Sequence, residues 1–369
     1  MSALTEQERA LIRNGVEKFV DANYRFEDRR ERLLREEKYG SHWATFAELG
    51  WLMLPFSAES GGMGGKVVDA QVLTRVFGRA LINEPWLEAM VAGKVLEHGV
   101  EANTRDQWLA PLMSGDLIMV LAHGEHKADL DFDSVETTAV QVDKGYRLHG
   151  TKRVVWQAGA ADKYLVTARL DNEPAVFVVD GSIDGVKVTE YTAVDSRFAA
   201  DIELHEAVVE ADALLSRGAM AEIGVKRAIL FAFGALIGEM RGIAEQLIKL
   251  TAEYLNTRKQ FDTTISNFQA LQHMLADMVI AKEEIQSLEW ITAELATIED
   301  LLERERVARS AKARAAAVGR KLCELGVQLH GGIGLTDEYI ASHYLRRMVA
   351  IDGYYGDTQQ HLLWLARRY

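Results

Sequence analysis

The stretch Val327-Gln328-Leu329-His330-Gly331-Gly332-Ile333-Gly334-Leu335-Thr336-Asp337-Glu338-Tyr339 places three glycines within four residues at the end of an apolar pattern of helical period. Glycine carries no Cβ, so such a run marks a turn that caps a helix, or a loop whose backbone amides approach a ligand or another subunit closely. Working outward, 3.6-residue periodicity predicts long helices over about Ile223 to Thr257, Phe268 to Thr297, Leu302 to Gln328 and, beyond the glycines, Asp337 to Arg347. Four long helices joined by short connections make an antiparallel bundle.

Upstream the pattern changes. Leu117 to His123, Thr137 to Val142, Tyr146 to Gly150, Lys163 to Ala168, Ala175 to Val179, Val186 to Tyr191 and Ala200 to Leu204 are short, rich in β-branched residues and separated by turn residues. They predict a compact β domain of about seven strands. Before it, helical periodicity returns: Thr5 is a good N-cap with Glu8 three residues on, and Leu11, Ile12, Val16, Phe19 and Val20 form an apolar face. The charge-dense segment Arg25 to Lys38 predicts a solvated helix face. Gly61-Gly62-Met63-Gly64-Gly65 has no Lys-Ser or Lys-Thr after it and is expected to be a loop between helices and not a P-loop. The expected fold is therefore mainly α with a small β domain: an N-terminal helical domain (1–116), a central β-barrel-like domain (117–212) and a C-terminal four-helix bundle (213–369).

Net charge of −13 leaves no basic stripe for nucleic acid. Cys323 is the only cysteine, which rules out an intramolecular disulfide and a cysteine metal cluster. The longest apolar run, Ala228 to Gly238, falls short of the roughly 20 residues that a membrane span needs. Met1 to Glu8 lacks a basic and apolar leader pattern, so a cytoplasmic location is the expectation. His123, Glu125, His126 and Asp129 are the right residue types for a metal, but a Glu-His pair in a loop lacks the i, i+4 geometry that converges on one ion, and no metal site is expected. Asp129, Asp131 and Asp133 begin like a calcium loop, yet Ser134 replaces the glycine and Val140 the closing glutamate.

Arg258-Lys259-Gln260-Phe261-Asp262, followed by Ile265, Phe268-Gln269, Gln272-His273 and Leu275-Ala276-Asp277-Met278, combines with the Gln328 glycine loop into a pattern that resembles the C-terminal signatures of acyl-CoA dehydrogenases. The run from Glu48-Leu49-Gly50-Trp51 through Pro55 to the five-residue glycine cluster is similar to their N-terminal domain. The resemblance implies the fold just described, FAD as cofactor, and oxidation of an acyl-CoA thioester to the 2-enoyl-CoA. A carboxylate takes the proton next to the carbonyl while the flavin accepts the hydride. It also implies that FAD lies across a subunit interface. Arg258, Phe261, Gln328, Gly331, Gly332 and Gly334 match the motifs that hold its pyrophosphate and adenosine from the neighbouring subunit.

The flavin-side motifs differ from the family pattern. Where relatives carry Thr-Glu-Pro, this chain has His123-Gly124-Glu125-His126; where a Trp-Ile-Thr triplet follows the Asn-Gly-x-Lys turn, His149-Gly150-Thr151-Lys152-Arg153 leads into Val154-Val155-Trp156. The catalytic glutamate of a Tyr-Glu-Gly-Thr signature aligns with Tyr355, and Asp357 with its threonine; tyrosine, with a pKa near 10, is a poor base at neutral pH. The alternative glutamate position falls on Ala232 and Phe233, with Glu239 two turns further along; Glu239, Asp352 and Asp357 are the remaining candidate bases. Intact dinucleotide contacts beside an altered base predict a subunit that completes the FAD site of a homologous, larger partner. The ending from Ile351 to Asp357, with Gln359-Gln360-His361-Leu362, is similar to small subunits of heteromeric members of the family, such as those acting on pimeloyl-CoA. A bulky or dicarboxylic acyl-CoA is the expected substrate, and an electron-transfer flavoprotein a candidate electron acceptor. Two other readings stand beside this one: a self-sufficient homomer, dimer or tetramer, with a displaced base, and a non-catalytic assembly protein that keeps the fold.

Overall fold

The computed structural model describes residues 4–34, 42–126 and 130–368. Helix α1 (Glu6–Asn23) starts as its sequence predicts, with the Thr5 hydroxyl accepting from Glu8 N–H at 3.3 Å and the Glu8 carboxylate accepting from Thr5 N–H at 2.7 Å. There follow α2 (Phe26–Leu34), α3 (Trp43–Glu48), α4 (Val67–Ala80), α5 (Trp86–Gly99) and α6 (Ala102–Ser114). Residues 35–38 of the charge-dense segment lie outside the described residues. The Gly61–Gly65 loop folds back on the chain before it: Gly62, Gly64 and Gly65 N–H donate to the carbonyls of Ser57, Phe56 and Leu54.

The sheet contains eight strands: β1 (Met119–Ala122), β2 (Thr138–Val142), β3 (Gly145–Trp156), β4 (Lys163–Leu170), β5 (Glu173–Val179), β6 (Val186–Thr192), β7 (Phe198–Glu210) and β8 (Leu214–Arg217). Its order is β6-β7-β3-β2-β4-β5-β8; β1 and β2 both pair in parallel with β4, and the other pairs are antiparallel. All seven expected strands are present, and β8 is the addition. Periodicity undershot β3 and β7 because their pairing is interrupted twice, between Leu148 and Gly150 and, with one extra residue on β3, between Lys152 and Val155. The extra residue resets the alternation, so Lys152 and Val155, three apart, are both buried. Leu148, Val166, Phe177, Ile202 and Leu204 form the core on that face.

The helical remainder runs α7 (Ala219–Thr257), a hairpin of β9 (Lys259–Gln260) and β10 (Thr263–Thr264), α8 (Gln269–Ala293), α9 (Leu301–His330), α10 (Ile340–Gly353) and α11 (Thr358–Ala366). Helix α9 packs on α8, α10 and α11. Packing groups the chain into two compact units: the described parts of Glu36–Lys66 and Asn83–Ala232 in one, and those of Leu4–Arg35, Val67–Ile82 and Phe233–Tyr369 in the other. In the second, α4 joins helices that follow it by more than a hundred residues.

That union depends on glycines. Gly234, Gly238 and Gly242 recur every four residues along α7, hence on one face, and α4 lies against them. A Cβ at Gly242 would stand 1.8 Å from the Arg75 carbonyl oxygen, one at Gly238 2.6 Å from Thr74 Oγ1, and one at Gly78 of α4 2.2 Å from the Glu239 carbonyl oxygen. Gly242→Ala therefore forces backbone from backbone and is expected to cost about 1–3 kcal/mol. Gly15→Ala, on an exposed face of α1 with nothing within 4 Å, is the control and should stabilise by up to about 1 kcal/mol. Urea denaturation of both variants checks this; equal midpoints would mean that α4 and α7 do not touch so closely in solution.

Candidate cofactor and active site

Two segments far apart in sequence meet at one corner of the second unit. Helix α7 ends at Thr257, and Arg258 follows it, its N–H donating to Tyr254 O at 2.9 Å. The Arg258 side chain is exposed. The β9–β10 hairpin turns through Phe261 and Asp262, both with positive φ (54° and 61°), and projects Phe261, 86% exposed, at its tip. Paired positive φ values suit the twist of a two-residue hairpin, but they are unfavourable for residues that have a Cβ.

Beside this end of α7 lies the glycine loop. Helix α9 stops at Gly331, whose φ of 63° and ψ of −144° belong to glycine. A Cβ at Gly331 or Gly332 would meet nothing within 4 Å, whereas one at Gly334 would stand 2.7 Å from Val327 O. Gly334 thus closes the turn, while Gly331 and Gly332 present open backbone beside exposed Gln328. The bridge between the segments is His330, whose ring lies 4.8 Å from that of Tyr254 and 4.9 Å from that of Tyr339.

The sheet holds a different arrangement. Lys152 is fully buried; its Nζ donates to Glu125 Oε1 at 2.5 Å and Thr167 Oγ1 at 3.1 Å, with the His123 carbonyl at 3.5 Å. Glu125 also accepts from Thr137 Oγ1 (2.6 Å), Thr137 N–H (3.1 Å) and Glu136 N–H (2.6 Å). Burial pushes Lys152 down to about 8 despite Glu125. Burial pushes the Glu125 carboxyl up, but Lys152 and the Thr137 and Glu136 donors hold it below its usual range. The His123 ring lies between Thr167 Oγ1 (3.0 Å) and Leu130 O (2.9 Å), and burial depresses it to about 4. Arg153 pairs with Asp201, and its guanidinium also lies 3.3 Å from His126 Nε2. Asp129 lies outside the described residues.

The base candidates are each engaged. Glu239 accepts both bonds of a fork from Arg347, at 2.7 and 2.8 Å, with both residues buried and the Arg347 guanidinium 4.8 Å from the centre of the Tyr354 ring. Asp352 accepts from Thr358 N–H (3.0 Å) and Oγ1 (2.7 Å). Asp357 caps α11, accepting from Gln360 N–H at 2.8 Å while the Gln360 side chain accepts from Asp357 N–H at 2.9 Å. Tyr355 is half-buried with φ of 52°. Ala232 and Phe233 are fully buried. Lys312, fully buried on α9, donates to Asp352 O (3.0 Å) and Gly356 O (3.4 Å), so it holds the turn that carries Tyr355; burial pushes it down to about 8. Sequence reasoning passed over Lys312, although its spacing from the small residues Ala308, Ala316 and Gly319 places it on the buried side of α9.

Comparison with known proteins settles the family. Residues 219–369 match the acyl-CoA dehydrogenase C-terminal domain and residues 5–116 the acyl-CoA dehydrogenase N-terminal domain. The chain belongs to the acyl-CoA dehydrogenase family. It is 28% identical over 338 residues to acyl-CoA dehydrogenase FadE27 of Mycobacterium tuberculosis, covering 89% of this chain and 88% of that protein. The ChsE4–ChsE5 complex from Mycobacterium tuberculosis superposes with a TM-score of 0.86 at 25% identity, covering 100% of this chain and 98% of that one. The Tcur3481–Tcur3483 steroid acyl-CoA dehydrogenase does so with a TM-score of 0.85 at 25% identity, covering 98% and 97%. The acyl-CoA dehydrogenases are oxidoreductases that act on a CH–CH bond of an acyl-CoA, and FAD is their cofactor. The glycine corner fits such a dinucleotide: it offers open backbone at Gly331 and Gly332, an exposed cation at Arg258 and an exposed amide at Gln328. Among the described residues no group of three or more His, Cys, Asp or Glu could hold a metal ion, and no helix is long and apolar enough to cross a membrane.

Proposed function

We propose that this chain is the dinucleotide-holding subunit of a heteromeric acyl-CoA dehydrogenase. Its Arg258, Phe261, Gln328, Gly331, Gly332 and Gly334 grip the pyrophosphate and adenosine of an FAD whose flavin is seated in a homologous partner. FAD, when bound, accepts the hydride from the acyl chain, and the partner supplies the carboxylate base. The observation that carries this reading is the contrast between two places in the chain. The glycine corner is open and exposed, whereas Glu125, in the segment that replaces the relatives' Thr-Glu-Pro, is tied into a closed network with Lys152, Thr137 and Thr167. Glu239 supports the same reading, since Arg347 holds both of its oxygens and that fork would have to open before the carboxylate accepted a substrate proton. Two superposing structures named for a pair of chains, one of them a steroid enzyme, favour a bulky acyl-CoA and a heteromer over a self-sufficient homomer.

The chain purified alone should carry no stoichiometric flavin, and co-expression with a homologue that has the catalytic glutamate should give a yellow complex. In that complex Arg258→Ala should weaken FAD binding about 10- to 100-fold, the value of a charge-assisted bond to phosphate. A yellow preparation of the chain alone, bleached by an acyl-CoA, would overturn the proposal.

A further inference from the structure

We propose that His330 is a positioning residue that sets the distance between the Arg258 arm and the glycine loop, an inference that rests on the FAD-holding role proposed above. His330 is the last residue of α9 and is 2% exposed. Its Nδ1 lies 2.7 Å from the Gly326 carbonyl oxygen. A carbonyl only accepts, so Nδ1 carries the proton, and Nε2 is left to accept from the Tyr339 hydroxyl at 3.0 Å. One ring thereby ties the start of the glycine loop to its far end, since Gly331–Leu335 lies between His330 and Tyr339. Its face meets Tyr254, one turn before Arg258 on α7 and the acceptor of the Arg258 N–H. A Cβ at Gly334 would stand 3.0 Å from His330 Cβ, so the loop closes directly against the base of this side chain. The two halves of the grip come from segments about 70 residues apart in the chain, and His330 touches the root of both.

The consequence is energetic coupling between His330 and Arg258 in FAD affinity. A guanidinium fork binds a diphosphate well only at one separation from the backbone amides that share it, so loosening His330 costs affinity mainly through Arg258. The test is a double-mutant cycle on the protein isolated with its native subunits, stripped of FAD and titrated with FAD by flavin fluorescence. His330→Phe keeps the ring contacts and removes both hydrogen bonds; it should raise the Kd for FAD about 10-fold or more in the otherwise unchanged protein. In the Arg258→Ala background the same change should raise it less than about 2-fold. Tyr339→Phe, which removes one hydroxyl and no ring, should give a smaller loss with the same dependence on Arg258, and it serves if His330→Phe does not fold. Additive effects, or unchanged affinity in His330→Phe while Arg258→Ala binds weakly, would overturn the positioning role and leave the FAD-holding reading in place. Unchanged affinity in Arg258→Ala would overturn that reading itself.

Discussion

Arg347→Met is expected to destabilise the protein by about 3–5 kcal/mol, the cost of removing one member of a buried ion pair. Glu239 and Arg347 bridge α7 and α10 at 5% and 2% exposure, joined by two bonds of 2.7 and 2.8 Å. With arginine gone, the carboxylate sits among packed helices, close to Gly78 of α4, with its two charge-assisted bonds lost. The loss is a large share of the roughly 5–15 kcal/mol that holds a typical domain folded, so the urea midpoint should fall visibly. Removing both charges with well-packed apolar residues should recover most of it, because burying an ion pair carries its own desolvation cost. A midpoint unchanged in Arg347→Met would show that the pair is not buried in solution. The same pair gives a test of the displaced-base reading. In the active assembly Glu239→Gln should retain turnover per folded molecule, and a loss of about 100-fold or more would make Glu239 the base after all.

Acid should unfold the protein well before its carboxylates are titrated. His123 and His343, 3% and 5% exposed, are depressed from 6.5 to about 4, mainly by burial, and His361, fully buried, is depressed further by burial and by Lys312 and Arg309. In the unfolded chain each binds a proton as pH falls through about 6.5, while in the folded chain each stays neutral down to about 4 or below. The unfolded state therefore holds more protons throughout that window, and stability present above pH 6.5 is lost as pH falls. Each group is worth about 1.4 kcal/mol per pH unit, hence about 2 kcal/mol at pH 5, and the three together (His123, His343, His361) about 6. Urea midpoints should decline steeply between pH 6.5 and 4.5. His361→Leu, whose side chain would keep an apolar contact with Phe233 (now 5.1 Å ring to ring), should make the decline shallower by about one proton. A flat profile across that range would contradict the buried neutral histidines.

The sequence carried the architecture because periodicity is a local property. Long 3.6-residue patterns marked α7 to α10, and β-branched runs marked seven strands of the sheet. What it did not carry depends on residues remote in sequence. The β3–β7 bulge that turns Lys152 inward needs a partner strand, and α4 lies against α7 only because glycines in both remove the side chains between them. Candidate site residues were legible as motifs, Arg258 and Gln328 among them, but their meeting through Tyr254 and His330 was not, since a ring contact between residues 76 apart leaves no local pattern in the sequence. Lys312 was missed for a related reason: a charged residue on a charge-rich helix looks solvated until the turn it holds is seen.

The discontinuous second unit has a consequence for biosynthesis. Helix α4, with α1 packed on it, leaves the ribosome about 150 residues before the glycine face of α7 that α4 packs against. At roughly 5–20 residues per second, its apolar face waits on the order of 10–30 seconds for a partner. Over that interval the nascent chain is a substrate for holdase chaperones. Slowing translation across residues 83–232, by codon choice alone and with no change in the protein, should lower the yield of folded product.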